Sequence, residues 1–219
     1  MNVLYAIICF IFSKYMETIF QIALLVMSVV VHEVSHGYAA YLLGDPTAKH
    51  QGRLTLNPLK HLDLWGSIII PVFLVITGSK FLFGWAKPVP FNPYNLRNQK
   101  WGEAIVAIAG PASNIAIALV FGLIIRFAGG AGLLSSEFIS ISAVLVLLNL
   151  MLAIFNLVPI PPLDGSKILF ALLPYHLQRF RGAFESYGFI IVLVFIFFLS
   201  GFLNPITTFF FSLITGFRI

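Results

Sequence analysis

Long apolar runs separated by short polar ones set the pattern of this chain. Phe20–Leu43, Trp101–Phe127 and Phe138–Leu157 are each long enough to cross a hydrocarbon layer of about 30 Å as helices. Two shorter runs follow, Phe189–Leu203 and Ile206–Phe217, split by Asn204-Pro205. Near the start, Val3–Phe12 is apolar but short, and Ser13–Glu17 interrupts it. It reads as an interfacial anchor or as the first part of a bent helix running into the next segment. Leu64–Ser79 is too short to cross comfortably and carries Pro71 and Gly78. Between these runs, Arg53-Leu54-Thr55-Leu56 alternates with the period of a short strand, while Phe81–Lys100, rich in Pro, Asn and aromatics, reads as an irregular interfacial loop. The expected fold is an all-α polytopic membrane protein. A core of three transmembrane helices carries the chemistry, with flanking helices and a short β-containing loop. One membrane domain spans residues 1–219, with its core at about 20–167 and further helices at about 186–217.

Composition agrees, since 59% of the residues are apolar, 10% are charged and the mean hydropathy is +0.98. A net charge of +5 could suggest nucleic acid. The distribution of that charge points elsewhere. Residues 44–100 hold seven basic and two acidic side chains and 166–185 hold three and one, whereas 128–137 have no Lys or Arg. The positive-inside rule therefore places the first two stretches in the cytoplasm and the third outside, and no nucleic-acid partner is implied. Helix 20–43 then runs inward, 101–127 outward and 138–157 inward, so Leu64–Ser79 must dip and return or lie at the interface. The single cysteine, Cys9, leaves no internal disulfide or Cys-based metal site. The N-terminus shows no basic region and no small-residue cleavage site of a signal peptide.

Candidate chemistry begins at Val31–Gly37, which reads V-H-E-V-S-H-G. His32 and His36 stand four apart, so one helical face presents both imidazoles. Neutral imidazoles at this spacing suit Zn²⁺, and Glu33 beside the first can take a proton from a metal-bound water. Such His could instead simply hydrogen-bond neighbouring helices. Idle ionisable groups are costly in a span this apolar, however, which favours the metal. Third-ligand candidates are Asp45, His50, His61, Asp63, Glu103, Asp164 and His176. The first four lie in a hydrated loop, and Glu103 and His176 near interfaces. Asp164 follows a span that arrives on the same side as the His helix, after Pro159-Ile160-Pro161-Pro162-Leu163 has ended regular helix and with Gly165 allowing a tight turn. Asp164 is the best available ligand, although an Asp before Gly often only caps a turn.

H-E-V-S-H in an apolar helix and N-L-V-P-I-P-P-L-D-G after a later span resemble the site-2 protease family of intramembrane zinc metalloproteases. Gly110-Pro111-Ala112-Ser113-Asn114 is similar to that family's G-P-x-x-N segment. The resemblance covers roughly Phe20 to Lys167 and implies one Zn²⁺ held by His32, His36 and Asp164, with Glu33 as the catalytic residue. It places Asn156 near the active site, where it is a candidate oxyanion donor or else only ties helices together. It also implies transmembrane protein substrates within the lipid bilayer and a prokaryotic cell membrane, with the site towards the cytoplasm. The expected form is a minimal member without a PDZ or CBS module. A metal or ion transporter is the rival class, but its ionisable groups should line a path, whereas here they converge. An inactive scaffold could have lost Glu33 or a ligand, and all are present.

Overall fold

The first helix, α1 (Val3–Leu42), is unbroken through the polar stretch Ser13–Glu17, because no Gly or Pro occurs from Val3 to His36. The interruption there is one of polarity only. The structure is a computed structural model in which residues 3–77, 84–174 and 181–217 are described. Gly44 ends the first helix with φ of +109°, and the Asp45 amide closes back on the Ala40 carbonyl at 2.9 Å. One further turn, α2 (Thr47–His50), precedes a π-helical segment at Leu64–Ile69 and α3 (Ile70–Ile76). Then come α4 (Gly102–Ile124), extended by a π-turn to Gly129, α5 (Ser136–Asn156), α6 (Asp164–Leu172), α7 (Arg181–Val194) and α8 (Leu203–Thr215).

Among the described residues four helical stretches are long and apolar enough to span a membrane: Thr18–Leu42, Gly102–Gly129, Ser136–Asn156 and Arg181–Phe198. The first three match the expected spans to within about two residues at most ends. The break expected at Asn204-Pro205 falls earlier, at the 3₁₀ turn Ser200–Phe202. Pro205 sits in the first turn of α8, where its missing N–H would have had no helical acceptor.

Helix α4 is central and packs against α1, α5, α6 and α8. Small buried residues, Ala104, Ala107, Gly110 and Ala118, let those neighbours approach closely. At one end of the bundle Ala118, Ile125, Val146, Leu150, Phe211 and Ile214 form an apolar cluster. Near the other, Ala40, Leu96 and Val106 join α1 and α4 to the intervening loop. The polar centre lies on α1 and α4 between these clusters.

The excursion after Asp63 returns to the side from which it left. The Trp85 amide donates to the Gly66 carbonyl at 3.1 Å and the Lys87 amide to the His61 carbonyl at 2.9 Å. Leu64–Ser79 was expected to dip and return or to lie at the interface; its last two residues lie outside the described ones. The strand expected at Arg53–Leu56 does not form, and no strand occurs among the described residues. Alternation misled here because the inward residue is the polar one. Arg53 is buried while Leu56 is exposed, and the Arg53 guanidinium donates to the carbonyls of Lys87 (2.8 Å) and Pro88 (3.3 Å). The Thr55 carbonyl accepts from His61 Nε2 instead of joining a ladder. The three helices of the expected core, α1, α4 and α5, pack against one another. The candidate ligands come from α1 and from α6, a short helix beyond the span that α5 makes.

Candidate metal centre

His32 and His36 face α4 from consecutive turns of α1, and Asp164 enters from the first turn of α6. His32 Nε2 lies 3.0 Å from His36 Nε2 and 3.1 Å from Asp164 Oδ2, and His36 Nε2 lies 3.2 Å from the same oxygen. All three residues are less than a tenth exposed. Among the described residues this is the one group of three or more His, Cys, Asp or Glu that could hold a metal ion.

Their hydrogen bonds decide whether a cation fits. His36 Nδ1 meets the Val106 carbonyl at 2.7 Å, and a carbonyl only accepts, so the ring proton sits on Nδ1. His32 Nδ1 meets Asn114 Oδ1 at 2.6 Å, which likewise calls for a proton on Nδ1. Both Nε2 atoms then point lone pairs at each other and at a carboxylate oxygen. Three lone-pair donors this close repel unless a cation lies between them. Tetrahedral zinc, with bonds of about 2.0–2.1 Å, separates its ligand atoms by about 3.3 Å. The donor set and its spacing fit such an ion.

Two glycines make room. A Cβ on Gly110 would lie against Nε2 of both His32 and His36, so a bare backbone is required where α4 passes the ligand atoms. Gly165 was expected to allow a tight turn, but its φ is not positive and it lies within the first turn of α6. It is needed instead for close approach, since a Cβ there would strike the Leu157 carbonyl at the end of α5. That contact sets where Asp164 stands.

Glu33 is partly buried on the neighbouring face of α1, and its Oε2 accepts the Val89 amide at 2.8 Å. Pro88 and Pro90 flank Val89 and have no N–H, so Val89 presents a lone backbone donor in this part of the loop. Asn156 ends α5 with its Nδ2 bonded to the Leu152 carbonyl at 2.9 Å. Among the described residues no hydrogen bond joins it to His32, Glu33, His36 or Asp164.

The other third-ligand candidates have separate roles. Asp45 is buried and accepts from Thr47, Asn92 and Asn95, pinning the end of α1 to the loop before α4. Asp63 caps the Gly66 amide, and His61 is tied to Thr55. His50 is exposed, and His176 lies outside the described residues. Glu103 pairs with Arg181 at 2.6 Å and joins α4 to α7.

Sequence reasoning missed Ser28 and Asn149. Both are buried, and they link to His32 through Asn114. Signals existed for each. Ser28 stands one turn before His32 on the same α1 stripe, and Asn149 is a lone amide inside the apolar run of α5.

The apolar spans and the buried His-His-Asp group with a neighbouring Glu define a membrane-embedded metallopeptidase type of protein. The model of peptidase family M50 matches residues 124–199, which include Asn156 and Asp164. The chain is 43% identical over 178 residues to the Bacillus subtilis protein named "Putative zinc metalloprotease YwhC", covering 78% of this chain and 76% of that one. It is 34% identical over 169 residues to Rip2 of Mycolicibacterium smegmatis, which carries the same zinc metalloprotease description, covering 77% of this chain and 62% of Rip2. Rip2 of Mycobacterium tuberculosis is 27% identical over 168 residues, again 77% of this chain and 62% of its own length. No solved structure matches this chain. The chain belongs to peptidase family M50, the site-2 protease family, and is a metalloendopeptidase.

Proposed function

We propose that this protein is an intramembrane zinc endopeptidase that cuts peptide bonds within or near transmembrane segments of membrane proteins. The observation that carries the reading is the convergence of His32 Nε2, His36 Nε2 and Asp164 Oδ2 inside an apolar bundle, one residue from Glu33. The zinc description of the similar proteins supports the choice of ion. His32, His36 and Asp164 hold the zinc, which when bound supplies Lewis acidity towards a water and the scissile carbonyl. Glu33 takes the proton from the water on its free oxygen and later delivers it to the leaving amine. The Val89 amide holds Oε2 and so fixes the direction of that carboxylate. For Asn156 to serve as oxyanion donor, the second N–H of its Nδ2, beside the one given to the Leu152 carbonyl, must reach the substrate oxygen. The apolar helices around the site exclude bulk water and suit substrates that are themselves membrane-embedded.

One domain spans 1–219, with the C-terminal helices docked on the core through Glu103–Arg181 and the packing of α8 against α5. The charge of the basic loops supports an orientation with the site towards the cytoplasm, and the proposed setting is a prokaryotic cell membrane. In cysteine variants on a Cys9→Ser background, an impermeant thiol reagent on intact cells should label Leu133→Cys and spare His50→Cys. The reverse pattern overturns the orientation.

The central test measures zinc content and cleavage of a model transmembrane substrate together. Glu33→Gln should keep zinc and lose cleavage, because Glu33 is not a ligand, whereas Asp164→Ala should lose both. Cleavage by Glu33→Gln at the wild-type rate, or full zinc in Asp164→Ala, refutes the assignment.

A further inference from the structure

Ser28, Asn114 and Asn149 are almost wholly buried, on α1, α4 and α5 respectively. Three amide or hydroxyl groups buried in a membrane bundle must satisfy one another. Their bonds run in one direction only. Asn149 Nδ2 donates to the Leu145 carbonyl at 2.9 Å and to Ser28 Oγ at 2.9 Å. Since a carbonyl cannot donate, the nitrogen of this amide must face Leu145, and Oδ1 must face α4. There it accepts Asn114 Nδ2 at 2.8 Å, which turns Asn114 Oδ1 towards His32 Nδ1 at 2.6 Å. The fixed polarity of a backbone carbonyl on α5 is thus transmitted through two amides to the ring of His32.

We infer that Asn149 is a positioning residue for His32: by orienting the Asn114 amide it keeps the His32 proton on Nδ1 and the lone pair on Nε2. His36 needs no such chain, because its Nδ1 meets the Val106 carbonyl directly. His32 does need it, since an amide can present either end. Without Asn149, Asn114 Nδ2 is left with the Ser28 carbonyl alone, at 3.4 Å. The amide is then free to turn over. An NH₂ facing Nδ1 moves the ring proton to Nε2, where it occupies the lone pair the metal needs. The inference rests on the reading that His32, His36 and Asp164 hold zinc.

A double-variant cycle tests it on purified protein in detergent. Zn²⁺ affinity is read by competition with a chelator, and the Co²⁺ absorption spectrum reports tetrahedral coordination. Asn149→Leu should weaken Zn²⁺ binding ~10- to 100-fold, the usual effect of removing an outer partner of a metal ligand. Asn114→Asp should keep its affinity, because a buried carboxyl protonated on one oxygen still donates to Asn149 Oδ1 while the other accepts from His32, and without Asn149 it offers His32 an acceptor whichever way it turns. With nothing left to orient, Asn114→Asp/Asn149→Leu should return to the affinity and Co²⁺ spectrum of Asn114→Asp. Should Asn149→Leu not fold, Asn149→Ser, polar but too short to reach Asn114, takes its place in the same cycle. Wild-type affinity in the single Asn149 variant overturns the inference. So does a double variant as weak as that single variant, which would mean that Asn149 only packs helices. Wild-type protein that takes up no Zn²⁺ refutes the metal reading itself, whereas wild-type uptake unaffected by Asn149 refutes the relay alone.

Discussion

Replacing Gly110 by alanine is the most local perturbation this site allows, because one methyl group would meet both imidazoles. His32 Nε2 lies 2.6 Å from where the Cβ would stand, and ordinary van der Waals contact begins at about 3.4 Å. The ring must therefore retreat by about 0.8 Å, several times the ~0.2 Å within which metal–ligand distances are held. Nor can α4 yield cheaply instead. A shift of that size would stretch the 2.7 Å bond from His36 to the Val106 carbonyl and the 2.6 Å bond from His32 to Asn114 to about 3.4–3.5 Å, beyond the usual 2.7–3.2 Å of a good hydrogen bond. Either route costs at least one ligand its position. Zinc affinity should fall ~100-fold or more, equivalent to at least ~2.7 kcal/mol. Helix propensity acts in the opposite sense, since Gly→Ala inside a helix gains up to ~1 kcal/mol, so the zinc-free protein should stay folded. Chelator competition on purified Gly110→Ala measures the affinity, and thermal unfolding of the zinc-free form checks the fold. Gly182→Ala is the control, because a Cβ there meets nothing within 4 Å. A folded Gly110→Ala protein with wild-type zinc affinity would refute the argument that α4 is fitted to the ligand atoms.

Two further substitutions probe the frame of the site. Gly165→Ala sets a methyl group against the backbone carbonyl of Leu157, which no side-chain rotation relieves, so we expect ~1–3 kcal/mol lost from stability together with weaker zinc binding as Asp164 is displaced. Unchanged stability in a thermal melt would show that α6 can slide. Val89→Pro removes the amide bonded to Glu33, a bond to a charged group worth ~1.5–3 kcal/mol, so kcat should fall ~10- to 150-fold with zinc content unchanged. Val89→Ala keeps the amide and is the comparison; equal rates in the two variants would remove Val89 from the account of Glu33.

The spans were legible because membrane helices must bury every backbone polar group within themselves, which makes long apolar runs hard to read otherwise. The convergence of His32, His36 and Asp164 was legible for a related reason, since ionisable groups are costly among such residues unless they face partners. What escaped was the consequence of close packing. Gly165 was read through its own backbone freedom, but its role depends on the Leu157 carbonyl, a neighbour that local pattern does not reveal. Arg53 was read as the polar side of a strand, yet it is buried among the carbonyls of a segment more than thirty residues away.

The same distinction explains the two polar layers of the bundle. On α1, Ser28, His32 and His36 follow one another at intervals of four, and on α4 so do Val106, Gly110 and Asn114. Facing stripes of equal pitch bring partners together turn by turn: Val106 to His36, Gly110 to both rings, Asn114 to His32 and to the Ser28 carbonyl. A search for ionisable residues finds only His32 and His36 of the α1 stripe, because serine carries no charge to betray it. The α4 stripe is quieter still, using a carbonyl, a missing side chain and an amide. Each of these costs little in an apolar helix taken alone, and each matters only against its partner on α1. A candidate metal site among apolar helices is therefore announced by its ionisable residues, while the groups that orient them become visible only once the helices are placed side by side.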